Sequence, residues 1–189
     1  MSTGGQPGPA STASPGGRPR GGSRRSVLVV ASLTFFAAGI AQASLGPALP
    51  DLAEAIGVDL AALGALFTAL YGGALVGQLL TGAIVDRVGH RPVMIAGPIL
   101  AGVGVLGVSL APSLAVALAA SLLSGLGYGA LFVGANLVVA DAYEDGGAGA
   151  LNLTNLFYGV GAIVGPALVG LLLGAGLSAI PALWVAAAT

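Results

Sequence analysis

The chain has 189 residues, 56% of them hydrophobic and only 7% charged, with a formal net charge of −1 and a mean hydropathy of +0.99. Soluble domains carry roughly 25% charged residues, so this composition excludes a water-covered surface, and the charge balance excludes a basic nucleic-acid-binding face. With no cysteine, disulfides, thiolate metal sites and cysteine nucleophiles are excluded as well.

Residues 1–25 are mostly Gly, Pro, Ser and Thr with four arginines, too little apolar surface to fold, and are expected to be a disordered tail. The apolar run that follows is too long for a signal-peptide core and lacks a persuasive cleavage site, so it reads as an uncleaved first span. Apolar runs then place spans at about 26–49, 60–85, 92–110, 114–140 and 151–173, each long enough for the ~30 Å hydrocarbon core. Pro47, Pro50, Asp51 and Glu54 are expected to bring the chain into water after the first span. Ala111-Pro112-Ser113 ends the third, and Asp141, Glu144 and Asp145 end the fourth. A sixth run begins near Leu177 and reaches Thr189. At 1.5 Å per residue it extends only ~20 Å, so the chain is expected to end inside a span, as a fragment of a longer protein. The fold class is thus an all-α membrane protein: a helical bundle of five complete spans and a truncated sixth, over residues 26–189. Thirty-three glycines suit membrane helices whose backbones approach closely.

All six arginines lie in the N-terminal tail or in the stretch 82–91. If spans alternate in direction, both fall on one side, and the positive-inside rule places that side in the cytoplasm. The expectation is a multi-pass protein of the cell membrane with a cytoplasmic N-terminus.

The stretch Gly82-Ala-Ile-Val-Asp86-Arg87-Val-Gly89-His90-Arg91 holds charges that hydrocarbon does not accept cheaply, so it reads as a short water-facing turn. Gly82 and Gly89 allow close packing and a tight reversal. Asp86 ends one helix, Arg87 and Arg91 are placed to pair with a carboxylate, and Asp141 is the candidate by topology. On charge alone an ordinary orienting loop explains the stretch equally well. The spacing Gly82-x-x-x-Asp86-Arg87-x-Gly89-x-Arg91 resembles the signature loop between helices two and three of the major facilitator superfamily. Two further stretches agree with that resemblance: Leu49-Pro50-Asp51-Leu52 after span one, and the glycine-rich run from Gly159 through Gly161, Gly165 and Pro166 to Gly170 in span five. The resemblance covers about residues 26–189 and implies the N-terminal six-helix half of a twelve-helix transporter. It also implies that the turn acts as a cytoplasmic latch against the second half. His90 and Pro92 stand where the family is more variable or often basic. Many proton-coupled members carry an arginine four residues before the Gly-x-Gly of span four; here that position is Ser121, before Gly125-Leu-Gly127, which argues against proton coupling through this half.

Polar side chains inside the spans are the remaining signal, because buried amides need partners and a substrate hydroxyl is one. Gln42, Tyr71, Gln78, Asn136, Asn152, Asn155 and Tyr158 stand out. Six of them, Gln78 excepted, are the substrate-binding candidates. Asn152, Asn155 and Tyr158 share one helical stripe. Hydrogen bonding between helices is the competing account of each. The segment Asn152 to Gly159, with Asn136, resembles the fucose-permease-like sugar transporters, which implies cavity-facing roles for these residues. Gly161, Gly165 and Pro166 serve as a packing face or as a gating point.

The function expected is secondary transport of a small solute by alternating access, of a sugar or other polyhydroxyl or small-molecule substrate, without cofactor or metal. Drug or metabolite efflux within the same superfamily and a non-transporting scaffold or receptor are the alternatives. An intramembrane serine protease would need a nucleophile beside a buried histidine, and His90 stands in the turn. The expected partners are the lipid bilayer, the substrate and a second six-helix half, or a second copy of the chain; without one of these the chain alone is expected not to transport.

Overall fold

A computed structural model describes residues 21–143 and 147–188. Residues 1–20 of the expected tail, and Glu144 and Asp145 of the acidic stretch, lie outside the described residues. Among the described residues the only regular elements are helices: α1 Gly21–Ile56, the short α2 Leu60–Leu63, α3 Ala65–Val88, α4 His90–Ser109, α5 Leu114–Ala142, α6 Gly147–Gly174 and α7 Ile180–Ala188. Five segments are long and apolar enough to cross a bilayer: Arg24–Ile56, Leu60–Val88, His90–Ser109, Leu114–Ala142 and Gly147–Gly174. Helices satisfy every backbone group internally, which is what hydrocarbon demands. The chain is a multi-pass membrane protein.

Three boundaries differ from the expectation drawn from the sequence. Gly21 to Arg25, assigned to the tail, form the start of α1. At its other end α1 continues through Pro47 and Pro50 to Ile56, where a loop was expected. Each proline removes one donor from the helix ladder, but Leu52 and Ala53 are buried in the same cluster as Leu63 and Leu66, and that packing carries the helix past the prolines. The third difference is the stretch 82–91, which is helical except at Gly89. Gly89 takes φ +81°, a left-handed conformation that glycine adopts without Cβ strain, and this single residue reverses the chain.

The helices pair by close backbone approach. The long α5 packs on α3 along one side and on α4 along another, while α1 packs on α6. Two contacts show what the glycines do. A Cβ at Gly125 of α5 would fall on the carbonyl oxygen of Leu70 in α3, and one at Gly161 of α6 would fall on that of Phe36 in α1. Lipid tails are as apolar as leucine, so such packing and hydrogen bonding, rather than hydrophobic burial, hold membrane helices together. Hydroxyls add links: Ser121 Oγ of α5 donates to Leu66 O of α3 at 2.8 Å, and Ser124 Oγ donates to Ala101 O of α4 at 3.1 Å. On the outside, Leu79, Ile163 and Leu171 remain more than two-thirds exposed, as a lipid-facing surface requires.

Helix α7 leans on α1 and α4. Its start is tied to the end of α1: the carboxylate of Asp51 accepts from Ser178 Oγ at 2.8 Å and from the Ala179 amide at 2.6 Å, satisfying an N–H that a helix start leaves free. Asp51 is therefore a capping residue rather than part of a water-filled loop.

Candidate functional site

Gln42 lies near the middle of α1 and Tyr158 near the middle of α6. The Tyr158 hydroxyl donates to Gln42 Oε1, and the two helices are close enough for this because Gly161 and Gly165 of α6 lie against the α1 backbone. Gln42 is 9% exposed, so its amide requires partners of this kind. Aromatic rings surround the pair. Phe132 of α5 meets Tyr158 edge to face at 5.5 Å and Phe35 at 5.1 Å, and stacks on Tyr128 at 6.1 Å. Tyr71 of α3 stacks on Phe67 at 6.4 Å. The result is a polar pair set in an aromatic wall, with Tyr158 half-buried; Tyr71 is exposed.

The other candidates are placed differently. Asn152 and Asn155 are exposed on the stripe of α6 that leads to Tyr158. The Asn155 side-chain amide donates to Leu151 O of its own helix at 2.9 Å, so part of its bonding capacity is already used. Gln78 is exposed on α3. Asn136 lies eight residues beyond Tyr128 on α5, ~12 Å along the helix, and joins none of these groups; its Oδ1 is buried without a hydrogen-bond partner among the described residues. Pro166 lies inside α6, one residue after the Gly165 contact. The geometry thus brings Gln42 and Tyr158 together, and leaves Tyr71, Asn136, Asn152 and Asn155 without a described contact to that pair. It adds Tyr128 and Phe132, which sequence reasoning passed over. Tyr128 directly follows the close-packed Gly125-Leu-Gly127, the one signal that could have marked it as core-facing.

At the charged end of the bundle, Asp86, Arg87, Gly89 and Arg91 are exposed. Among the described residues neither Arg87 nor Arg91 reaches Asp141; the one contact within ion-pair distance is His90 Nε2 to Asp141 Oδ2 at 3.6 Å. His90 opens α4 and Arg87 stands in the last turn of α3, and both helices pack on α5. Gly82 was expected to pack closely, yet a Cβ there would meet open space, so within this chain it presents a flat, unfilled surface. Nearby, Tyr143 Oη donates to Arg24 O at 3.1 Å, tying the start of α1 to the end of α5.

Chemically the central arrangement offers neutral hydrogen-bond donors and acceptors beside aromatic faces. It suits recognition of an uncharged or weakly polar solute and holds no nucleophile beside a base. Among the described residues no group of three or more histidines or acids could hold a metal ion.

Residues 31–189 match the family described as Major Facilitator Superfamily. The chain is similar to the sodium-dependent glucose transporter 1 of Rattus norvegicus, 27% identical over 80% of this chain. It is 29% identical over 70% of its length to the 4-hydroxybenzoate transporter PcaK of Pseudomonas aeruginosa. It is 32% identical over 65% of its length to the multidrug resistance protein MdtL of Escherichia coli. The matched stretches span 31%, 30% and 31% of those proteins' own lengths.

Proposed function

The chain belongs to the major facilitator superfamily, and on that premise we propose that it forms the N-terminal bundle of a secondary transporter that moves a small polar solute by alternating access. The observation that carries this reading is the Gln42–Tyr158 hydrogen bond. It sits midway along two largely apolar spans, where polar groups are costly and mark substrate or ion pathways. The solute meets Tyr158 and Tyr71 on the open edge of the aromatic wall, with Asn152 and Asn155 along its approach and Gln42 behind. Neutral amides and aromatic faces suit a hydroxylated ring, stacked on a tyrosine and hydrogen-bonded at its edge. The glucose and 4-hydroxybenzoate transporters among its relatives act on solutes of that kind. A second bundle, or a second copy of this one, closes the other wall. Gly82 and the exposed Asp86, Arg87 and Arg91 are the surface against which it latches on the cytoplasmic side, and Gly161, Gly165 and Pro166 let α6 adjust against α1 as the halves rock.

Drug efflux is the second reading, favoured by the similarity to a multidrug resistance protein and by the largely apolar surface around the site. Proteoliposomes carrying the intact gene product, loaded in turn with glucose, 4-hydroxybenzoate and a lipophilic cationic dye, separate the readings. Flux of a hydroxylated solute is expected, with Tyr158→Phe raising its KM by up to about tenfold, the loss of one good hydrogen bond. Flux of the dye alone selects efflux, and partner binding without any flux overturns transport.

A further inference from the structure

A small, partly open cavity of about 20 Å³ lies between α1, α3, α4, α5 and α7, lined by Gln42, Ser121, Ser124 and Tyr128 among apolar neighbours that include Leu70 and Leu183. Tyr128 is 3% exposed, and its hydroxyl forms no hydrogen bond with any described residue, although buried tyrosine hydroxyls ordinarily find a partner. The Gln42 amide uses only its oxygen in the bond from Tyr158, so its two N–H donors have no described acceptor. Both serines donate to backbone carbonyls, and their oxygens keep lone pairs free to accept. The volume fits one water molecule, which needs ~10–15 Å³ and two to four polar partners.

We infer that this cavity binds a single ordered water, held by the Tyr128 hydroxyl and the Gln42 amide with one of the serine oxygens as a further acceptor. The water turns the Tyr158–Gln42 pair into a chain that runs from α6 through α1 to α5. Its location has a structural consequence. The close-packed pairs are α1 with α6, and α5 with α3 and α4; α1 and α5 meet along a looser seam, and the water lies in it. Tyr128 is thereby a positioning residue that fixes the orientation of the Gln42 side chain. Gln42, Ser121, Ser124 and Tyr128 are all uncharged groups, so a neutral, hydrated node occupies that part of the core.

Thermal unfolding of the full chain in detergent tests the inference through the sign of one substitution. A buried hydroxyl with no partner is a liability, and removing it stabilises; a hydroxyl bound to an ordered water contributes, and removing it destabilises. Tyr128→Phe is therefore expected to lower Tm by roughly 2–4 °C. In a Gln42→Leu background the same substitution is expected to change Tm by less than half as much, because the water has already lost one holder. An unchanged or raised Tm, or shifts that simply add, would overturn the water-mediated link. Neither measurement involves flux, so the inference stands or falls separately from transport.

Discussion

Asp51 shows how a single side chain can join two distant parts of the chain. It follows two closely spaced prolines and precedes Glu54, a context that reads as a loop entering water. Its carboxylate instead caps α7 through Ser178 and Ala179, more than a hundred residues away in sequence, and no local pattern could have announced that partner. Removing a cap of this kind costs about 0.5–2 kcal/mol. Asp51→Ala is accordingly expected to speed hydrogen exchange at the first amides of α7 while leaving those of α3 and α5 unchanged. Asp51→Asn, which keeps an acceptor oxygen, is expected to fall between the two; equal exchange in all three proteins would exclude the cap. Gln42, Tyr71 and Tyr158 were legible from the sequence because a polar side chain inside an apolar run is conspicuous. Tyr128 was not, because its importance lies in the hydroxyl's lack of a partner, which only the packing reveals.

At the scale of helices, the number of long spans follows from the apolar runs, and their ends depend on contacts the runs do not contain. The extension of α1 to Ile56 rests on Leu52 and Ala53 packing with Leu63 and Leu66, and the collapse of the 82–91 stretch to one non-helical residue rests on Gly89. Glycine abundance pointed to close packing without saying which glycines are used. Gly125 is one that is used, since a Cβ there would strike a backbone carbonyl of α3; Gly170 is one that is not, since a Cβ there meets open space. The two substitutions should therefore move stability in opposite directions. Gly125→Ala is expected to cost about 1–3 kcal/mol by forcing α3 and α5 apart. Gly170→Ala is expected to gain up to about 1 kcal/mol from the better helix propensity of alanine. Detergent unfolding midpoints report both. A destabilising Gly170→Ala would mean that this face of α6 is packed against something after all.

For the whole molecule, charge and contact geometry converge on one polarity. Tyr143 bonded to Arg24, and His90 paired with Asp141, place the start of α1, the α3–α4 reversal and the end of α5 at the same end of the bundle. That end carries every arginine among the described residues: Arg24, Arg25, Arg87 and Arg91. The opposite end, where Asp51 meets Ser178, carries Asp51, Glu54 and Asp59 and no arginine. Arginines near span ends set orientation far more strongly than acids do, so the arginine-rich end is expected in the cytoplasm. The absence of native cysteine makes this directly measurable, because a single introduced thiol is the only one in the chain. In intact cells a membrane-impermeant maleimide is expected to label Asp59→Cys and to leave Arg87→Cys unlabelled until the membrane is opened. The reverse pattern would invert the bundle. It would also remove the proposed latch from the cytoplasmic face, because Asp86, Arg87 and Arg91 stand at the same end as Arg87→Cys. The orientation of the bundle and the side on which the halves close are thus tested by the same pair of thiols.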